Sequence, residues 1–224
     1  MPNSKLKIQS PKLYFSFSAL LVFTLSVIWL NSNSANNFRT DLKHLLLDEL
    51  IRISPPAPGT KVDVIYVLGG SQDSLEYKYK TAAGLFRKGI CKKIWILSRL
   101  GKTKYSPSLG RNLTNDEWSI LTLNEFGVPK EHIEPIKMKE GFFGTFSEAK
   151  GISSLIKSRG YKEILLISTI DHTHRAKISF ENFLINEKVS VYAQSYGEDM
   201  LLRNLLVEWV KLKVYQYFLI EKNI

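Results

Sequence analysis

The stretch VDVIYVLGG, residues 62–70, is a run of β-branched, aliphatic and aromatic residues broken by one acid and stopped by two glycines. Alternating apolar and polar residues would mark a strand with one wet face, whereas a nearly continuous apolar run marks a strand covered on both faces. Runs of this kind recur at KKIWILS (92–98), more weakly at HIEPIKM (132–138), and again at KEILLIST (162–169) and KVSVYAQ (188–194). Between them lie stretches of helical composition: EYKYKTAAGLFRKG (76–89), TNDEWSILTLNEFG (114–127), TFSEAKGISSLIKSRG (145–160) and HTHRAKISFENFLINE (172–187). An amphipathic segment, DMLLRNLLVEWVKLKVYQYFLIEK (199–222), closes the chain. Strands separated by helices imply an α/β domain over residues 61–224, Rossmann-like and doubly wound, with a mainly parallel sheet of about five strands. Gly89 and Gly127 suit helix stops, and Thr114 with Glu117 has the spacing of a capping box.

Working outward toward the N-terminus, residues 31–60 read as a stalk. FRTDLKHLLLDELIRI (38–53) has apolar residues at helical spacing, and Pro55, Pro56 and Pro58 end it. Residues 13–30, LYFSFSALLVFTLSVIWL, carry no charge, and residues 1–12 hold Lys5, Lys7 and Lys12. An apolar run that reaches the ~18–20 residues of a spanning helix, with lysines ahead of it, implies a single-pass anchor. The positive-inside rule then leaves residues 1–12 as a cytoplasmic tip and the α/β domain extracytoplasmic. A cleaved signal peptide, cut near Ser32 or Ser34, is the competing reading.

The 224 residues carry a formal charge of +10, spread along the chain without an arginine-rich stripe interleaved with aromatics. That pattern suits attraction to anionic surfaces and speaks against nucleic acid as a partner. The single cysteine, Cys91, excludes an intramolecular disulfide and reads as a small packed thiol.

Open parallel sheets bind ligands beyond the carboxyl ends of their strands, and the polar candidates cluster there. Gly69, Gly70 and Ser71 follow the first strand, Ser98 and Arg99 the second, Thr145 and Glu148 lie after the third, and Thr169, His172 and Arg175 follow the fourth. His172 and Arg175, three apart at a helix start, would face one crevice and with the helix N-terminus suit an anion such as phosphate. His172 beside that positive end should titrate low and, with Glu148, is the candidate for proton transfer. Thr145 and Glu148 fit a capping box as well as a binding role, and Asp171 and Thr173 could cap the next helix. Asp171, His172 and His174 also suggest a metal set, although 172 and 174 should diverge once the helix begins.

These residues resemble a known family. VDVIYVLGG, AAGLFRKG, NEFGVP, GTFSEA, LLISTIDHTHRA and EWVKLKVY follow the order and approximate spacing of the YdcF/SanA/ElyC-like family, domain of unknown function 218, over residues 61 to about 218. The resemblance implies a Rossmann-like domain, often behind an N-terminal membrane segment, linked in some branches to envelope integrity, peptidoglycan assembly and polyprenyl-phosphate handling. One soluble branch is linked to S-adenosylmethionine. By position it implies functional roles for Asp63, Gly69, Gly70, Glu117, Thr145, Glu148, His172, Arg175, Glu208 and Lys211. Two positions depart from the family pattern: Ser98-Arg99-Leu100 replaces Ser-Gly-Gly, and Lys78 stands where an arginine is usual. The expectation is a membrane-anchored envelope-biogenesis protein binding a phosphate-bearing precursor, polyprenyl-linked or nucleotide-like. A non-catalytic assembly or sensing factor and a metal-dependent hydrolase are the alternatives, with cofactor and oligomeric state open.

Overall fold

In a computed structural model, residues 33–138, 141, 144–193 and 200–220 are described, so the anchor reading for residues 13–30 lies outside the described residues. Helix α1 is Asn36–Leu50. The α/β pattern then runs β1 (Val64–Val67), α2 (Gln72–Arg87), β2 (Ile94–Leu97), a hairpin of β3 (Lys102–Ser106) and β4 (Arg111–Thr114), and α3 (Asn115–Glu125). It continues with β5 (Ile133–Ile136), α4 (Gly144–Ser158), β6 (Glu163–Ile167), α5 (Thr173–Phe183), β7 (Lys188–Tyr192) and α6 (Leu202–Val214), which passes into a π-turn at Tyr215–Leu219. The chain divides after Leu45, and the larger unit begins at Leu46.

All five expected strands form one sheet in the order β5-β2-β1-β6-β7, and every pairing is parallel. The period-2 alternation of strand side chains sorts the core into two layers. Ile65, Val67, Ile94, Ile96, Leu165 and Ile167 pack with Tyr79 and Ala83 of α2 and Trp118 and Leu123 of α3. Val64, Tyr66, Leu68, Trp95, Ile164 and Leu166 pack on the other face with Ala149, Ile152 and Ile156 of α4 and Phe180 of α5. Helices therefore cover both faces, as the unbroken apolar strands require. Edge strand β7 is partly covered from the linker, where Ser54 and Val191 exchange backbone hydrogen bonds of 2.8 and 3.0 Å.

Two helix stops and one helix start fall where expected. Gly89 and Gly127 take positive φ, 71° and 91°, just past α2 and α3, a conformation open to glycine without a Cβ clash. The Thr114–Glu117 capping box is present. The β3–β4 hairpin was not expected: its side chains are mostly exposed and polar, so no apolar period marked it.

Candidate functional site

The chain order of the sheet reverses between β1 and β6, the kind of crevice at which open α/β sheets take ligands. Gly69 and Gly70 leave β1 on this rim, and their missing side chains serve the protein's own cations. A Cβ on Gly69 would run into the Arg99 guanidinium, and one on Gly70 into Ser74 Oγ and the Lys78 ammonium. Arg99 donates from Nη1 to Gly70 O (2.9 Å), and buried Lys78 donates from Nζ to Leu68 O (2.7 Å) and Gly69 O (2.8 Å). Lys78 thus ties off carbonyls that the sheet leaves behind. Burial pushes its ammonium down to about 8, with Glu148 opposing and Arg99 reinforcing that shift. Ser71 caps α2 by accepting from Ser74 N, at 3.4 Å.

Glu148 sits one turn into α4 and accepts from Tyr66 OH (2.6 Å) and Gly69 N (3.1 Å), both on Oε1. The expected capping pair of Thr145 and Glu148 is therefore replaced by a bridge from α4 to the end of β1. Tyr66 is fully buried, and its hydroxyl is held well above the ordinary phenol range by burial first and Glu148 second.

Thr145, one helical turn before Glu148, gathers the fourth strand end. Its Oγ1 lies 3.2 Å from His172 Nε2 and accepts from Arg175 Nη1 at 2.8 Å. Arg175 then donates from Nε and Nη2 to Glu208 Oε2 (3.2 and 2.7 Å), Lys211 pairs with the other Glu208 oxygen at 2.6 Å, and the guanidinium lies 5.1 Å from the Tyr215 ring centre. Enclosure by protein, more than any neighbour, holds the His172 imidazole well below its usual range, with Arg175, Lys78 and Lys211 adding repulsion. The expected direction is present, but burial and three cations supply it, where the sequence suggested the helix end. Burial opposes ionisation of Glu208, and Arg175 and Lys211 outweigh it to hold the carboxyl below the ordinary range.

The expected caps at Asp171 and Thr173 do not form: α5 starts without a side-chain cap, and Thr173 Oγ1 donates toward Ile170 O and accepts from Arg52 N. Thr169 contributes its carbonyl to His172 N at 3.1 Å, with no side-chain capping bond. His172 and His174 diverge, His174 Nδ1 lying 2.6 Å from Glu49 O. Among the described residues no group of three or more His, Cys, Asp or Glu side chains is placed to hold a metal.

A cleft of about 310 Å3 opens beside this network, lined by Ser98, Arg99, Leu100, Met138, Ser147 and Glu148 among others. Ser98 donates to Asp116 Oδ2 at 2.6 Å, and Asp116 Oδ1 accepts from Arg99 N at 3.3 Å, so α3 fixes the turn that presents Arg99. The first turn of α4 thus carries Glu148 into the cleft and Thr145 into the His172–Arg175 cluster. Glu117 is drawn elsewhere: it makes a bidentate pair with Arg111 of the hairpin, at 2.6 and 2.8 Å, as well as the cap. Asp63 accepts from the backbone N–H groups of Lys162 and Glu163 at 2.7 and 2.9 Å, the start of β6 and the opposite end of the strands from the rim. Sequence reasoning named Lys78 only as a departure from the family pattern and passed over Tyr66 and Asp116 as site residues. Tyr66 and Lys78 each sit in an apparently apolar or solvated pattern, and only the rim's geometry reveals their partners.

A scan against protein-family models finds no match, and a search of curated proteins finds no similar sequence.

Proposed function

We propose that this chain is a membrane-anchored bacterial cell-envelope protein whose α/β domain, on the extracytoplasmic side, binds a phosphate-bearing envelope precursor through the cleft between the ends of β2 and β5 and the start of α4. The reading rests on one observation above all: Arg99 and the Glu148 carboxylate line an open cleft at the carboxyl ends of the strands, with buried Lys78 and Arg175 and the enclosed His172 on the rim behind it. Cations held in place by carbonyls and carboxylates stabilise a phosphate without having to reorganise when it arrives. Arg99 stands at the cleft itself and is the first contact for the anion, and the uncharged His172 can accept a proton in a subsequent step. The likeness to the YdcF/SanA/ElyC-like family and the uncharged run at 13–30 support the envelope and membrane parts of the reading.

A second reading, a non-catalytic sensing or assembly factor using the same crevice, is favoured by the bonding of His172. Among the described residues its side-chain hydrogen-bond partner is the Thr145 hydroxyl and not a carboxylate, so none of their acids orients and strengthens it as a base. Full-length protein in detergent, presented with polyprenyl phosphate, a nucleoside diphosphate and inorganic phosphate, tests both. Saturable binding weakened by Arg99→Ala with release of a product stopped by His172→Ala supports the enzyme. Binding without turnover supports the sensor, and no binding to any of the three overturns the phosphate reading.

A further inference from the structure

Helix α6 is apolar on two opposite sides. Leu205 and Leu212 are fully buried against the domain, and Arg175 reaches the same side through Glu208. At 100° per residue, Leu206, Val207 and Val210 fall on the opposite side, and Tyr217 and Phe218 of the π-turn carry that stripe one turn further. All five are exposed, Phe218 at 82% and Tyr217 at 67% of their surfaces. A helix of a soluble domain turns charge toward water, and a contiguous apolar stripe marks an interaction surface.

The chemistry at the border of the stripe selects the partner. Lys211 flanks it on one side and Lys213 on the other, with Arg203 at its N-terminal end, while the sole acid of α6, Glu208, is turned inward to Arg175. Lys213 and Lys211 are held by Glu49 and Glu208 at 2.6 Å in each case, with part of each lysine open to solvent. Apolar and aromatic side chains bordered by lysines and headed by an arginine are the pattern of a helix lying in the interface of an anionic bilayer. Among the described residues no helix is long and apolar enough to cross a membrane; α6, with 13 residues, is about 20 Å long, and a stripe along one side would dock it lengthwise. A protein partner of matching shape would be equally served by an uncharged border. Residues 61–224 carry 25 lysines and arginines against 18 acids, a net +7 that adds attraction over the domain.

We infer that the outward stripe of α6 and its π-turn is a second membrane contact, docking the α/β domain on an anionic phospholipid surface independently of residues 13–30. Because Arg175 and Glu208 join the inner side of the same helix to the rim, such docking would set the crevice at a fixed height above the headgroups. The inference stands whether or not the crevice binds phosphate.

The test uses full-length protein, mixed with or reconstituted into vesicles of phosphatidylcholine alone or with phosphatidylglycerol. A polarity-sensitive fluorophore is placed at Val210→Cys, and at Lys130→Cys as a control; the native Cys91 is buried and does not compete. The expected result is a blue shift and quenching by brominated lipid at position 210 only, dependent on phosphatidylglycerol. Leu206→Glu with Phe218→Glu should abolish both signals at an unchanged melting temperature, since both side chains are exposed. Arg203→Ala should weaken vesicle partitioning about five-fold. A label at 210 that stays in water, quenching indifferent to phosphatidylglycerol, or a detergent-solution dimer that Leu206→Glu dissociates would each overturn the inference, the last by assigning the stripe to a second copy.

Discussion

At the scale of single residues, enclosure shifts the ionisation of His172 and Lys78 at the site and of His174 beside it. His172 and His174 both titrate below their ordinary range because burial disfavours the imidazolium. Their charged forms are therefore easier to reach in the unfolded chain, so stability is intact above the unfolded value of about 6.5 and falls as pH drops below it. Thermal unfolding from pH 7 to 5 should show this loss, and His172→Gln should flatten the slope. Lys78 behaves in the opposite part of the scale. With its folded value near 8 against an ordinary 10.5, the unfolded chain holds the proton more tightly, so stability rises with pH between about 8 and 10. Lys78→Met should remove that alkaline rise. The two glycines separate as well: Gly69→Ala displaces the far end of Arg99 and should weaken anion binding at a nearly unchanged melting temperature, whereas Gly70→Ala meets buried Lys78 and should lower stability too. The reason for Gly69-Gly70 was hidden in the sequence, because glycine there makes room for side chains that arrive from residues 78 and 99.

At the scale of elements, α4, α5 and α6 are tied by polar groups whose removal strands a buried partner. Glu148→Ala leaves the Tyr66 hydroxyl and Gly69 N–H without their acceptor and should destabilise by roughly 2–4 kcal/mol in chemical denaturation. Glu208→Ala leaves the Arg175 guanidinium buried beside Thr145, with an expected loss of about 3–5 kcal/mol and faster amide exchange in α6. The exposed Arg111–Glu117 pair provides the contrast, and Arg111→Ala should leave the melting temperature nearly unmoved. Five strands and their helices were legible because each strand is apolar enough to be covered twice, and the stops at Gly89 and Gly127 were legible because αL backbone favours glycine. The hairpin and the absent caps at Thr145 and Asp171 were not, since a threonine or an acid near a helix start reads as a cap until a tertiary partner claims it, as Tyr66 claims Glu148.

At the scale of the molecule, the strand order brings residues 69–78, 98–99, 145–148 and 172–175 to one rim, and the adjacent α6 carries an outward apolar stripe. Strand-end clustering was readable in the sequence, but its division was not: the first turn of α4 sends Glu148 to an open cleft and Thr145 to an inner cluster in which Arg175 is already paired. Arg99, at the cleft, is therefore the residue on which recognition of an anion should depend. Titration of full-length protein in detergent with inorganic pyrophosphate, followed by calorimetry at two salt concentrations, is the most direct measurement. The account expects saturable binding that weakens with salt and falls about ten-fold or more in Arg99→Ala while the melting temperature holds. Heat that does not saturate, or an affinity that Arg99→Ala leaves untouched, would contradict it.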